Sequence, residues 1–94
     1  MGIPTVRDLL DAKGKRKLVL TTAFDGWSAK ACEDAGVDMI VTWGYTIEHL
    51  QYIMEEVRAG APNTFIGAGL PLVEAYSSES EALRLAGEYL RLKN

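Results

Sequence analysis

Two residues with side-chain oxygens lie where an apolar segment of the sequence gives way to a helix-like one. Thr22 stands near the end of the run KLVLTTAF, and Asp25 follows that run directly. A carboxylate beside a hydroxyl could bind a polar substrate or act in proton transfer, and sites of barrel proteins lie at such strand-to-helix junctions. Asp25 is also placed to cap the next helix, which is the favoured interpretation. Trp43, at the end of the next apolar segment, is the third substrate-side candidate.

Other residues with reactive side chains have simpler interpretations. His49 has no second His or Cys at ligand spacing, which predicts a surface histidine and no metal site. Cys32 has no nearby His to act as a base, so we expect it to pack in the core. The Gly-Ala-Gly motif at 67–69 lacks the third glycine of a dinucleotide fingerprint, which favours a close approach of two backbones.

The aromatic residues near the ends of the same segments allow two interpretations. Trp27, Trp43 and Tyr45 would form either a ligand-stacking wall or an apolar plug, and the plug is favoured. We therefore assign no catalytic, metal-binding or cofactor-binding residue, and keep Thr22, Asp25 and Trp43 as substrate-side candidates.

A βαβ unit must position these candidates. Lys17–Phe24 and Val37–Trp43 are apolar on nearly every residue, as in parallel strands covered on both faces, and small residues recur at near-helical spacing between them. The alternation continues along the chain and predicts an α/β fold of order α(βα)₃ with three parallel strands. We expect a helix at about 5–13 and three βα units at about 17–93, within one domain at 1–94.

Capping residues and apolar spacing delimit four predicted helices. The N-caps are Thr5, Asp25, Thr46 and Ser78. The first helix carries Val6, Leu9 and Leu10 and should plug one end of the sheet, and the second should pack through Ala29, Ala31, Cys32 and Ala35. The third, the clearest amphipathic helix, should bury Ile47, Leu50, Ile53, Met54 and Val57. The fourth should bury Ala82, Leu83, Ala86, Tyr89 and Leu90.

Composition and charge argue against several classes of protein. The 94-residue chain has a net charge of −3, and its basic cluster at 13–17 has no interleaved aromatic residue, which argues against nucleic-acid binding. No apolar run approaches the ~20 residues of a membrane span, and no leader pattern follows Met1. The single Cys32 cannot form an internal disulfide. We expect a cytoplasmic protein without nucleic-acid or membrane partners.

Four short motifs carry a resemblance that periodicity alone does not supply. They are Lys13-Gly14-Lys15-Arg16, Thr22-Ala23-Phe24-Asp25, Ala35-Gly36-Val37-Asp38 and Arg58-Ala59-Gly60-Ala61-Pro62-Asn63. Nearly the whole chain resembles the N-terminal third of ketopantoate (3-methyl-2-oxobutanoate) hydroxymethyltransferase. The resemblance implies a (β/α)₈ TIM barrel of the phosphoenolpyruvate mutase and isocitrate lyase superfamily. It also implies an enzyme of pantothenate biosynthesis that transfers a hydroxymethyl group from methylenetetrahydrofolate to 3-methyl-2-oxobutanoate on a Mg²⁺ site.

The sequence departs from that family where two metal-binding Asp residues would stand. After the second strand the family has Gly-Asp-Ser and a long active-site loop, whereas here Val41 is followed by Thr-Trp-Gly-Tyr and directly by Thr46. The family's Ala-Asp-Leu-Pro corresponds to Ala-Gly-Leu-Pro at 68–71, and its later catalytic strands have no counterpart. Mg²⁺ needs oxygen ligands that include carboxylates. We therefore expect no metal or cofactor for this chain, although the family uses Mg²⁺ and methylenetetrahydrofolate.

Three strands cannot close a barrel, which predicts an uncovered apolar surface. The strands are apolar on both faces, but their helices can cover only one. If about eight inward side chains stayed exposed to water, at roughly 1.5 kcal/mol each, the loss of folding free energy would be on the order of 10 kcal/mol. Three solutions are open: self-association, the N-terminal helix folded across the face, or a separate chain that completes a barrel. Self-association is the preferred hypothesis.

Two functions follow from these observations. The first is a partial-barrel relative of ketopantoate hydroxymethyltransferase that is not catalytic alone and acts as a folding or assembly module. The alternative is part of an active Mg²⁺-dependent hydroxymethyltransferase, completed in trans or by sequence outside this chain, with Thr22 and Asp25 beside the substrate. The sequence leaves open whether the chain is an enzyme.

Overall fold

The chain alternates helices and strands in the predicted order. The structure is a computed structural model that describes residues 3–69 and 78–91. Within these ranges the elements are α1 (Val6–Asp11), β1 (Leu20–Thr22), α2 (Gly26–Asp34), β2 (Met39–Trp43), α3 (Ile47–Gly60), β3 (Phe65–Gly69) and α4 (Glu79–Tyr89). The strands form one parallel sheet in the order β1-β2-β3. The predicted α/β fold is confirmed, with the α(βα)₃ order of a (β/α)₈ barrel fragment.

Several element boundaries differ from the predicted ones. β1 pairs over three residues only, because the carboxylate of Asp38 accepts the backbone N–H of Val19 and so replaces a ladder bond at the amino end. α1 ends at Asp11 and a turn follows in which Gly14 has a φ of +80°. The segment 64–70 is predicted as the third strand from its sequence, TFIGAGL; its last residue, Leu70, lies outside the described residues. The extent of the domain, 1–94, stays a prediction.

All four predicted N-caps are confirmed. In each, the side-chain oxygen accepts the backbone N–H three residues further on; the caps are Thr5, Asp25, Thr46 and Ser78. Asp8 returns a bond to the backbone of Thr5 and completes a capping box. The carboxylate of Glu81 pairs instead with the guanidinium of Arg84, at 2.7 Å.

The register of the sheet separates its two faces, because directly paired residues point to the same side. Thr21, Ile40 and Ile66 lie in line on one face. The opposite face, which we call the uncovered face, carries Leu20, Thr22, Phe24, Met39, Val41, Trp43, Phe65, Gly67 and Gly69.

Helices α2 and α3 cover the first face. Ile40 is fully buried and packs with Ala29 of α2 and with Ile53 and Val57 of α3. The predicted apolar face of α3 is confirmed for Leu50, Ile53, Met54 and Val57, which are all buried, whereas Ile47 is only half-buried. Connections between parallel strands are right-handed as a rule, which places the helices of two successive connections on the same side of the sheet.

The contact between α2 and α3 depends on two glycines. A Cβ added to Gly60 would lie 1.9 Å from the carbonyl oxygen of Gly26, and one added to Gly26 would lie 2.9 Å from the carbonyl oxygen of Glu56. Real side chains do not approach backbone so closely. The two helix backbones therefore meet directly at this point.

The uncovered face remains open along most of its length. Leu20 is 58 % exposed and Trp43 48 % exposed, while Met39, Val41 and Phe65 are half-buried. α1 lies at the amino end of the sheet, with a groove of about 650 Å³ between it and Met39 and Phe65. None of its residues is buried. α1 therefore plugs the end only partly. The predicted solution in which the N-terminal helix folds across the uncovered face is not realised.

Two predicted packing faces are wrong in part. In α4, Leu85 is fully buried, whereas Leu83 and Leu90 are exposed. At about 100° per residue the two exposed leucines lie roughly 160° and 140° round the helix from Leu85, on the opposite side. In α2, Ala29 is buried and Cys32 is half-buried against the core, but Ala31 and Ala35 are exposed.

The predicted close backbone approach at 67–69 is also wrong. A Cβ added to Gly67 or Gly69 would make ordinary contacts of 3.5 Å or more with β2. Among the described glycines, an added Cβ would come closer than 3.0 Å to backbone at Gly26, Gly44 and Gly60. None of the helices within 3–69 and 78–91 is both long enough and apolar enough to cross a membrane.

Candidate functional site

The three strands end together at one edge of the sheet, which we call the carboxyl edge. Thr22, Trp43 and Gly69 are the last residues of β1, β2 and β3. Thr22 and Trp43 lie on the uncovered face at this edge, and Asp25 begins α2 just beyond it. The structure therefore brings the three predicted candidates to the same edge of the sheet. Their contact with a substrate stays a prediction.

Asp25 is occupied as a helix cap. Its Oδ1 accepts the backbone N–H of Ser28 at 2.7 Å and the Ser28 hydroxyl at 2.7 Å. The backbone bond, and then the hydroxyl bond, lower the pKa of the Asp25 carboxyl. A carboxylate held in the ionised form by two donors is a poor general acid and has limited freedom to bind a substrate. The favoured interpretation of Asp25 as an N-cap is therefore confirmed.

Trp43 contacts Phe24 and not Trp27. The Trp43 and Phe24 rings meet edge to face, with centroids 4.8 Å apart and planes at 87°. Trp27, on α2, is 86 % exposed. The predicted cluster of Trp27, Trp43 and Tyr45 is thus not formed as one unit, because the rings of Trp43 and Tyr45 pair with Phe24 and His49 instead. The exposed rings of Trp43 and Tyr45 also do not fill a plug.

An open aromatic pocket occupies the carboxyl edge instead. It has a volume of about 480 Å³ and is lined by Phe24, Trp43, Gly44, Tyr45, His49, Tyr52 and Ile53. Phe24 and Tyr52 are lining residues that were not expected from the sequence. Two signals could have identified them: Phe24 shares the strand face of Thr22, and Tyr52 follows His49 by three residues on a helix.

The turn from β2 into α3 is short and is held by its own contacts. The backbone N–H of Tyr45 donates to Nδ1 of His49 at 3.1 Å, and the two rings stack with centroids 5.5 Å apart. His49 is exposed, as predicted for a surface histidine. Because Nδ1 accepts, the neutral ring carries its proton on Nε2. This turn takes the place where the resembled family has its long loop.

The residues at the carboxyl edge do not fit a Mg²⁺ ion. Gly69 has no side-chain oxygen, and a Cβ on Gly44 would lie 2.7 Å from the backbone nitrogen of Leu50, so that position has no room for a carboxylate. Asp25 is committed to Ser28. Within 3–69 and 78–91, no three His, Cys, Asp or Glu side chains are grouped in a way that could hold a metal.

Comparison with known proteins identifies relatives with one printed function, 3-methyl-2-oxobutanoate hydroxymethyltransferase. The proteins of Kosmotoga olearia and Thermosipho africanus are 36 % and 38 % identical to this chain, over 93 % and 96 % of it. The Geobacillus kaustophilus protein is 40 % identical over 73 % of the chain. The chain spans only 38 %, 38 % and 30 % of their respective lengths. No family model and no solved structure matches the chain.

The alignments also indicate residues that this chain lacks. The alignment with the Kosmotoga protein runs over 101 positions but takes in 93 % of 94 residues, about 87, so about 14 positions have no residue here. The Thermosipho africanus alignment, with 104 positions and 96 % of the chain, gives about 14 as well. A deletion of this size agrees with the short turn between β2 and α3.

Proposed function

Because the chain belongs to the family of the 3-methyl-2-oxobutanoate hydroxymethyltransferases over most of its own length, we propose that it is a partial-barrel relative that does not catalyse their reaction alone. It acts as a folding or assembly module, and its sheet has to be completed by contact with another polypeptide surface. The observation that carries the proposal is the uncovered face, which is uncharged and mostly apolar along all three strands and lies opposite the helix layer.

The carboxyl edge supports the same proposal. The reaction of the family needs a metal ion to hold the keto acid and to stabilise an enolate. Gly69, which corresponds to one of the family's metal-binding Asp residues, has no carboxylate. The Thr-Trp-Gly-Tyr segment after Val41, where the family has the other, carries none either, and Asp25 is held by Ser28. The aromatic lining of the pocket at this edge suits apolar contacts better than a chelated keto acid.

The partner that we propose is either another copy of this chain or a separate chain that completes a barrel. The chain acts in the cytoplasm, without nucleic-acid or membrane partners. The net charge of −3 and the lack of interleaved aromatic residues in the basic cluster at 13–17 support the absence of a nucleic-acid partner.

The alternative function is a part of an active Mg²⁺-dependent hydroxymethyltransferase. It is favoured by one observation: the relatives are enzymes by name and are more than twice as long as this chain. In that case the rest of the barrel, in trans or in sequence outside this chain, supplies the metal ligands. Thr22, Asp25 and Trp43 would then stand beside the substrate.

Isothermal titration tests the first function, that this chain alone does not bind the keto acid with Mg²⁺. The folded chain is titrated with 3-methyl-2-oxobutanoate in the presence of Mg²⁺, and we expect no saturable heat. A saturable heat that needs Mg²⁺ and is lost in Asp25→Asn, but kept in the exposed control Asp34→Asn, would favour the enzyme. Circular dichroism of each variant shows that the helices are intact, so a lost signal is not a lost fold.

A further inference from the structure

The uncovered face has the composition of an interface core. None of its nine residues carries a charge, and it presents the edge-to-face pair of Phe24 and Trp43 at one end. Interface cores are depleted of charged residues and enriched in aromatic ones, and such rings often anchor binding. Two copies of an uncharged face can meet without repulsion. The net charge of −3 per chain is carried elsewhere on the surface.

The exposed area is larger than that of a typical monomer. Folded monomers of 10.3 kDa expose about 5,400 Å², whereas this chain exposes 6489 Å². The excess is therefore about 1,100 Å². A stable protein interface of ordinary size buries about 800 Å² per partner, which would remove most of the excess. Burial against one partner face of similar size is therefore enough to account for the excess exposed area.

The shape of the chain also fits a second sheet. Its shortest dimension is 19 Å, that of one sheet with one helix layer, and its radius of gyration is 13.9 Å against about 12.4 Å for a compact chain of this length. On β3, Gly67 and Gly69 have no side chains that project from the uncovered face, so another surface can approach closely there. Two sheets pack face to face at about 10 Å.

We propose that a second copy of this chain packs on the uncovered face, related by a twofold axis, to give a four-layer dimer with helices outside and two sheets inside. The inference rests on the proposed function, because it names the partner that the assembly module requires. A twofold contact uses the same patch on both copies. The uncovered face meets that condition because it is uncharged and because the excess exposed area is close to what one interface buries per partner.

Sedimentation equilibrium of the 94-residue chain tests the proposal with a matched pair of variants. Leu20→Lys places a charge on the uncovered face, and Leu83→Lys places one on α4; these leucines are 58 % and 69 % exposed, so neither substitution should unfold the protomer. We expect a dimer at micromolar concentration, a dissociation constant at least tenfold higher in Leu20→Lys, and no change in Leu83→Lys.

The two tryptophans give a second readout that does not depend on mass. In Trp27→Phe the remaining Trp43 lies on the uncovered face, and its emission should shift to shorter wavelength as the concentration rises. In Trp43→Phe the remaining Trp27 lies on α2 and should not shift. A concentration-dependent shift of Trp27 with none of Trp43 would mean that the chains associate through the helix layer.

Three results would overturn the inference. The first is a cooperatively folded monomer at about 100 μM, a concentration far above the micromolar range of specific dimers. The second is an equal loss of association in both lysine variants. The third is a closed ring of three or more copies joined by strand edges. These results are distinct from failure of the proposed function, which is a Mg²⁺-dependent heat with the keto acid and is measured independently of the oligomeric state.

Discussion

Arg16 and Asp38 form an ion pair, with 2.8 Å between Nη1 and Oδ1, that joins the turn before β1 to the start of β2. The other oxygen of Asp38 accepts the backbone N–H of Val19 at 2.8 Å. The two residues belong to two of the motifs on which the family resemblance rests, at 13–16 and 35–38. These motifs therefore mark a structural joint at the amino end of the sheet, far from the carboxyl edge.

A third motif, at 58–63, forms a similar joint. Arg58 donates through Nη1 to the carbonyl oxygens of Ala61 at 3.0 Å and Thr64 at 2.6 Å. Glu33 of α2 accepts the backbone N–H of Asn63 at 2.8 Å and the hydroxyl of Thr64 at 2.6 Å. Desolvation lowers the pKa of Arg58, and the charge of Glu33 acts against that shift. The loop between α3 and β3 is thus fixed to the end of α2.

Asp38→Asn should destabilise the fold by about 1 to 2 kcal/mol at neutral pH, because it weakens two bonds to an ionised group. The Val19 N–H bond, followed by Arg16, lowers the pKa of Asp38 in the folded state. The unfolded chain then binds a proton more readily, so this stabilisation is complete above the ordinary pKa of about 3.9 and is lost as the pH falls through the lowered value. Urea unfolding between about pH 5 and pH 2 should show the two proteins converging.

The control for this variant is Asp34→Asn, which breaks an exposed pair with Lys30. Its effect should stay within about 0.5 kcal/mol. Equal effects of the two substitutions at neutral pH would contradict the role given to Asp38.

The two buried threonines should respond in opposite directions to valine. Thr42 is fully buried, and its Oγ1 has no hydrogen-bond partner in the described part of the chain. Thr42→Val should therefore raise the free energy of unfolding by about 1 kcal/mol. Thr64→Val removes the bond to Glu33 and should lower it by about 1 to 3 kcal/mol. Urea unfolding at one fixed protein concentration measures both; a loss of stability in Thr42→Val would show that its hydroxyl is bonded after all.

Gly60→Ala should lower the free energy of unfolding by at least about 2 kcal/mol, because the new methyl group overlaps the carbonyl of Gly26. Gly87→Ala is the matched control, since it is also a helix position and has nothing within 4 Å of the added Cβ. There the helix propensity of alanine should add about 0.5 to 1 kcal/mol. Thermal unfolding compares the pair, and tolerance of Gly60→Ala would mean that α2 and α3 do not touch at this crossing.

Leu85→Ala and Leu83→Ala test which side of α4 packs. Leu85 is fully buried, so its truncation should cost about 2 to 3 kcal/mol. Leu83 is exposed, so its truncation should change stability by less than about 0.5 kcal/mol. Denaturant midpoints at equal protein concentration distinguish the two; the reverse order would restore the face predicted from the sequence.

Local signals in the sequence predict most of the fold. The caps at Thr5, Asp25, Thr46 and Ser78 and the spacing of apolar residues in α3 are properties of short segments, so they can be identified without the tertiary structure. The packed side of α4 is not such a property. Leucines lie on two sides of this helix, Leu83 and Leu90 on one and Leu85 nearly opposite, and only the position of the helix against its neighbours selects Leu85.

The sequence predicts at which edge of the sheet the candidate site lies, but not which side chains contact each other there. Parallel strands bring Thr22 and Trp43 to one edge whatever their side chains are. The pairing of Trp43 with Phe24 rather than with Trp27 depends on ring directions across neighbouring elements, which spacing along the chain does not contain. The same is true of the contact between Gly26 and Gly60, which are far apart in the sequence.

The short turn at Gly44 restricts which residues can occupy that position. Any codon change that put an acidic residue at this position would drive its first methylene into the Leu50 backbone, 2.7 Å away, and would displace the start of α3. A carboxylate at position 44 would therefore require a longer turn between β2 and α3. The surfaces of the chain, such as the uncovered face, can accept substitutions without this rearrangement.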